Sequence, residues 1–431
     1  MQRTAIGLIG WGTVGGGVVD ILARDRALIA ERTGLDLHIK AVVTRSPGRI
    51  RDQLLPGVKI GTDIALITGD PEIQVVIHAV GGTTEAKTLA EACIAAGKQV
   101  VTANKALIAL HGDDLFAKAA QHRVGIAFEA AVAGGIPVIA ALRDGLVANR
   151  IEAICGILNG TCNFILTMME AEGWGYDQAL KEAQRLGYAE ADPTLDVDGT
   201  DTAHKLAILA RIAFNGRIPL AALHVEGIQD LTARDIASAR TMGAKIKLLA
   251  VARSRPEGLE LRVAPTLVPL DHPLAAVSRN ANGVAIQSSA AGPTLLTGLG
   301  AGALPTASAI LSDVVDVVSG RYQATAGHYQ FFHQTASPVF LTEADELTAC
   351  YARFEVTDRP GVLAAIIGQL SASGASIESI HQGAAKAGSP AAIIEVITHP
   401  MHLGNFRLAL EAIDRAGLTL TRTRMLRKLT I

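Results

Sequence analysis

Hydrophobic residues near the N-terminus come in short runs. AIGLIG, LHIKAVVT, QVVIHAV, KQVVTA and VGIAFEAA are rich in β-branched residues and lack strict alternation, the pattern of strands covered on both faces. Segments such as TTEAKTLAEACIAAG between them repeat apolar residues at helical spacing and end at Gly97, a C-terminal helix stop. Strand and helix signals alternate over residues 1–140, predicting a Rossmann-type, doubly wound parallel sheet in an α/β protein.

From Ile151 the rhythm changes. IEAICGILNGTCNFIL reads as strand, turn and helix, and DQALKEAQRL as a helix stopped by Gly187. KIKLLAVARS, LELRVAPTLV and GVAIQSSAAG predict a second, mixed sheet. Residues 141–320 are therefore expected to form an α+β domain, with a helix at about 306–320 returning to the first domain. Residues 321–346 lose periodicity and read as a connector. Residues 347–431 follow a βαββαβ order, which predicts a ferredoxin-like tail.

One helical stretch, DGTDTAHKLAILARIAF, raises a question of its own. Asp201 and Lys205 lie four apart on the stripe that continues through Ile208, Leu209 and Ile212. They are either an ordinary ion pair of helical spacing or working groups aimed into a cleft.

Composition narrows the class of partner. The 431 residues are 49% hydrophobic and 19% charged with a formal net charge of -2, which gives no global electrostatic case for nucleic acid or an anionic membrane. MQRTAIGLIGWG lacks the pattern of a secretory signal, and no apolar run reaches the roughly 18 to 20 residues of a membrane span. A cytoplasmic protein with a small-molecule substrate is expected. Cys93, Cys155, Cys162 and Cys350 are scattered in apolar context, as buried free thiols would be. His111, His122 and His204 form no zinc-type spacing.

Candidate chemistry gathers at strand ends. Gly10, Gly12 and Gly15 make a G-x-G-x-x-G turn with Trp11, Thr13 and Val14 between them, after the first strand and opening a helix. That context suits a dinucleotide pyrophosphate. After the second strand stand Arg45, Arg49 and Arg51 with no carboxylate, which favours NADP(H) and leaves NAD(H) open. His78 to Thr84 and Thr102 to Lys105 close the next two strands and place Lys105 at the carboxyl edge of the sheet. The loop GYAEADPTLDVDG crowds Glu190, Asp192, Asp196 and Asp198 together, and a cationic substrate group would offset their mutual repulsion.

These motifs resemble homoserine dehydrogenases over nearly the whole chain: GWGTVG, TANK, FEAAVAGGIP, GILNGTCNFIL, GYAEADPTLDVDGTDTAHK and GLGAGALPTASA. The resemblance implies NAD(P)-dependent interconversion of L-homoserine and L-aspartate 4-semialdehyde, within threonine, methionine and isoleucine biosynthesis. It implies Lys205 as proton donor and acceptor, with Asp201 and Lys105 beside it, and Glu190, Asp201 and Asp196 as substrate-binding residues. Gly10, Gly12, Thr13, Val14, Gly15, Arg45, Lys105, Gly187 and Gly302 would meet the cofactor. Glu129, Val132, Gly134 and Ile136 match a sodium-binding loop, and a homodimer or tetramer is implied. The tail, with TDRPGVLAAI at its first turn, resembles an ACT domain, a small amino-acid sensor. Asp358, Gly361, Val362, Leu363 and Ile377 would form its effector site, with L-threonine the leading effector. Two rivals stay open on residues alone: a 2-hydroxy-acid dehydrogenase with the same tail, and a non-catalytic amino-acid sensor.

Overall fold

The computed structural model describes residues 2–50, 57–326, 329, 336–383 and 391–430. Its first sheet holds six parallel strands, β1 (Gln2–Ile9), β2 (Leu35–Val43), β3 (Lys59–Gly61), β4 (Ile73–His78), β5 (Gln99–Thr102) and β6 (Ile126–Ala127), in the order β3-β2-β1-β4-β5-β6. Between β1 and β4 the winding reverses, opening a crevice at their carboxyl ends. The largely apolar runs are explained by helices on both faces. Ile6, Leu8, Val75 and Ile77 bury against one side, with Ile9, Ile73 and Val76 in the core on the other.

Close approach at the first turn depends on glycine. Gly10 has φ of 99°, in the region disfavoured for side chains, and a Cβ there would lie 2.4 Å from the Ala79 carbonyl oxygen. The helix Thr13–Thr33 then crosses the helix Ala303–Val318, where a Cβ on Gly17 would meet the Ala303 carbonyl oxygen at 2.5 Å. Ala307, Ile310 and Val314 of that second helix enter the same core as β1. The later chain thereby closes over the first turn.

The second sheet is larger than the sequence suggests. It contains β7 (Ile151–Ile157), β8 (His224–Val225), β9 (Ala244–Arg255), β10 (Gly258–Pro269), β11 (Ala281–Ser288) and β12 (Gly292–Leu299) from the middle of the chain. The tail adds β13 (Leu347–Thr357), β14 (Ile377–Gly383), β15 (Ala391–Thr398), β16 (Met401–His402) and β17 (Arg424–Lys428). Its main path runs β12-β11-β7-β9-β10-β17-β13-β15-β14. The tail portion, with helices Val362–Ala372 and Leu403–Arg415, is the expected ferredoxin-like unit. The junction is new: β17 pairs in parallel with β10 through Thr266 to Arg427 and Leu267 to Lys428, so two domains share one sheet.

Charge lies at that seam. Arg427 is 1% exposed and contacts Glu346 at 2.9 Å, Glu226 at 3.4 Å and Glu343. Arg262 on β10 reaches Glu346 at 2.7 Å and Glu260 at 3.1 Å. Each buried cation thus has carboxylates from the second domain and from the segment that leads into the tail.

Candidate active site

The helix Thr200–Phe214 settles the question raised by its sequence. Gly199, at φ 89°, starts it, and Asp198 accepts the Thr200 backbone N–H at 2.8 Å. Asp201 is 5% exposed and Lys205 8%, which excludes an ordinary surface pair. The stripe they head runs into the core through Ile208, Leu209 and Ile212.

Asp201 lies between two ammonium groups. One carboxylate oxygen meets Lys105 Nζ at 3.0 Å, and the other meets Lys205 Nζ at 2.6 Å. Lys205 also donates to the Leu158 carbonyl at 2.7 Å. Asn159 donates to Asp201 at 2.9 Å and to Asp196 at 2.8 Å. Burial raises the proton affinity of Asp201, but the charges and hydrogen bonds of Lys205 and Lys105 outweigh it and hold the carboxyl well below its ordinary range. The Asp201 charge in turn pushes Lys105 up. Asp196 is raised by its burial and by the negative Asp201, with the Asn159 hydrogen bond opposing.

These groups line a cavity of about 990 Å³ between the carboxyl ends of β4 and β5 and the second domain. Val14, Lys105, Gly187, Glu190, Asp196, Asp201, Lys205 and Gly302 all reach it. Gly10, Gly12, Thr13 and Gly15 lie just behind, in the first turn and the start of its helix. Arg45 is exposed two residues beyond β2, Arg49 lies in a short 3-10 turn, and Arg51 falls outside the described residues. Asp198 is engaged at the start of its helix and, unlike Glu190, Asp192 and Asp196, is not among the residues lining the cavity.

Four groups were given no role of their own from sequence. Asn159 and the Leu158 carbonyl fix the acidic and basic partners just described. Asn104 caps the helix Lys105–His122 through the Leu107 N–H at 2.9 Å, and its amide donates to the carbonyls of Val80 at 2.9 Å and Gly82 at 2.7 Å. Asparagine before a helix is a readable cap signal; contacts across tens of residues leave none. His78 is 1% exposed on the cavity wall, its Nδ1 lies 3.2 Å from the Thr102 hydroxyl, and burial pushes it down to about 4. It is neutral at physiological pH.

Comparison with known proteins matches this architecture to one family. The family profile for homoserine dehydrogenase covers residues 137–315, that for the homoserine dehydrogenase NAD binding domain residues 10–129, and that for the ACT domain residues 351–417. The homoserine dehydrogenase of Pseudomonas aeruginosa is 43% identical over 99% of both chains. The chain belongs to the homoserine dehydrogenase family. It is an NAD(P)-dependent oxidoreductase. A solved homoserine dehydrogenase from Thiobacillus denitrificans superposes with a TM-score of 0.92 at 41% identity, over 99% of this chain and 98% of that one. A hyperthermophilic archaeal homoserine dehydrogenase mutant in complex with NADPH matches 74% of this chain and 98% of its own, with a TM-score of 0.62 at 26% identity.

The loop that the resemblance led one to expect as a sodium site folds around Glu129. Both carboxylate oxygens accept backbone N–H groups, from Ile139 at 2.8 Å and Ala140 at 2.7 Å, and burial pushes the carboxyl up to about 6. Its own N–H donates to Asp313, a second buried carboxylate, at 2.8 Å. Val132, Gly134 and Ile136 follow in the same loop, although the Ile136 carbonyl already accepts the Val138 N–H at 2.8 Å. In the tail, Gly361 begins the helix Val362–Ala372 at φ 89° and Asp358 is exposed beside it. Val362 is buried in the ACT core, with Leu363 and Ile377 packed against it.

Proposed function

We propose that this enzyme interconverts L-homoserine and L-aspartate 4-semialdehyde with Lys205 as the proton-transfer group and NADP(H) as its preferred cofactor. The observation that carries the reading is the bridge Lys105–Asp201–Lys205 at the mouth of a dinucleotide crevice. A lysine ammonium has three donors. Two are spent on Asp201 and the Leu158 carbonyl, which leaves the third for a substrate oxygen. In reduction the Lys205 ammonium gives a proton to the forming alkoxide; in oxidation its neutral amine accepts one from the hydroxyl and becomes the ammonium. The nicotinamide, when bound, supplies or accepts the hydride.

Asp201 takes a different part from the one its family match suggests. Its two oxygens already receive three donors and it is 5% exposed, which suits an orienter of the lysines and leaves it little reach toward a substrate ammonium. Glu190 and Asp196 on the cavity wall are the better partners for that ammonium. Arg45, at the carboxyl edge beyond β2, supports the preference for a 2′-phosphate, as does the NADPH named with the archaeal relative. Two buried carboxylates, Glu129 and Asp313, support a monovalent cation on the Glu129 loop, held by that carboxylate and the carbonyls of Val132, Gly134 and Ile136. The ACT tail supports feedback by L-threonine through Asp358, Gly361, Val362, Leu363 and Ile377, and a homodimer, the cytoplasm and a place in threonine, methionine and isoleucine biosynthesis accompany the reading.

The test is spectrophotometric. Full-length protein with NADPH and L-aspartate 4-semialdehyde should consume NADPH absorbance, faster than with NADH and more slowly when L-threonine is present. No absorbance loss with either cofactor would sink the reading.

A further inference from the structure

We propose that Asn159 is a positioning residue for this reaction: a single carboxamide holds the lysine-bridging carboxylate and the substrate-facing carboxylate apart, so that each keeps its own role. The inference rests on the proton-transfer reading above and deepens it.

The geometry assigns the amide without ambiguity. Asn159 Oδ1 accepts the Cys162 backbone N–H at 2.8 Å, capping the helix Gly160–Glu172. Its nitrogen must therefore face the acids, where it donates to Asp196 Oδ1 at 2.8 Å and Asp201 Oδ2 at 2.9 Å. The residue is 4% exposed, so water does not replace these bonds cheaply. A buried carboxylate and a half-buried one this close repel, and a neutral donor between them offsets part of that repulsion. Lys105 and Lys205 neutralise Asp201. No ion pair to Asp196 is found among the described residues; Asn159 is its direct donor. Leu158, one residue earlier, accepts from Lys205, so one turn of chain sets the lysine, its orienting carboxylate and the second carboxylate together.

A helix cap alone would not demand asparagine. Aspartate and serine cap about as well, yet neither offers two N–H donors to carboxylates. N159D places a third carboxylate where the donor stood, and N159S retains a cap with a shorter hydroxyl. N159S, which keeps the cap, should fold and retain the NADPH affinity of the parent, and N159D is read where it folds.

The expected result is a fall in kcat/KM for L-homoserine of about 10- to 100-fold in N159D, the scale of lost hydrogen bonds to charged groups. Raised KM would reflect Asp196 and lowered kcat would reflect Asp201. The acidic limb of the kcat/KM profile should also move to higher pH by about one unit in N159D, because a neighbouring like charge raises carboxyl proton affinity, and by less in N159S. Folded variants with parental kcat/KM and an unmoved limb would reduce Asn159 to a cap and overturn the proposal. Should N159D lose its fold, N159S decides alone by the same measurements. Failure of the underlying reading looks different: the parent protein itself would not oxidise homoserine, or Lys205→Ala would remain active.

Discussion

Spacing of four on a helix is shared by surface ion pairs and buried active-site pairs, and only burial separates them. An exposed pair contributes about 0.3 to 0.5 kcal/mol; Asp201 and Lys205 are instead enclosed with Lys105, Asn159 and the Leu158 carbonyl. Lys205→Ala should cut turnover about 10²- to 10⁴-fold, the range of general acid–base catalysis, with NADPH affinity nearly unchanged. Steady-state rates and a cofactor titration check it, and normal turnover in a folded variant would remove the assigned role. The family motif pointed to Asp201 and Lys205, whereas the Asp201 contacts favour orientation of lysines over direct grip on substrate. That distinction depends on counting donors around each oxygen, which a motif does not do.

At the scale of the element, the loop from Glu129 to Ile136 couples charge to stability. The carboxyl of Glu129 is pushed up to about 6 by burial, above the roughly 4.3 of a free glutamate. Its folded form therefore binds a proton more tightly than the unfolded chain does. The associated stability is present below about pH 4.3 and is lost as pH rises through about 6. A cation on this loop would offset the loss above that window. Sodium should accordingly raise the thermal midpoint at pH 8 more than at pH 5, relative to a bulky organic cation at equal ionic strength, and Glu129→Gln should erase the difference. Equal midpoints in both salts at pH 8 would count against a cation there.

For the whole molecule, the shared sheet changes how the regulatory tail must be studied. Cutting the chain near Ala344 removes β17 from β10 and Glu346 from Arg262, so altered inhibition in the shortened protein would mix lost sensing with a damaged catalytic domain. The loop after β8 connects the seam to the site, since Glu226 contacts Arg427 and Ile228 donates to the Val197 carbonyl at 2.8 Å, three residues before the Thr200 helix. Arg427→Ala removes a buried guanidinium shared by Glu346, Glu343 and Glu226, of which Glu346 keeps Arg262 and Glu343 keeps Arg407, and should destabilise the full chain by about 1.5–3 kcal/mol, read by denaturant unfolding. A change below about 1 kcal/mol would mean the seam is wetter and weaker than its burial indicates. Among the described residues no helix is long and apolar enough to cross a membrane.

Sequence by itself determined the elements and the chemistry they carry. Short β-branched runs, helix stops, the glycine turn and the order of the tail are local signals, governed by backbone sterics and burial periodicity. The long motifs identified the family and put Lys105, Asp201 and Lys205 among its candidates. Only tertiary structure decided that Asp201 joins both lysines, that Asn159 holds two carboxylates from separate elements, and that the ACT strands complete the catalytic sheet. The reason is physical: each of these contacts joins groups distant in the chain, and its geometry is fixed by packing of whole elements, for which no single stretch of sequence carries a signal.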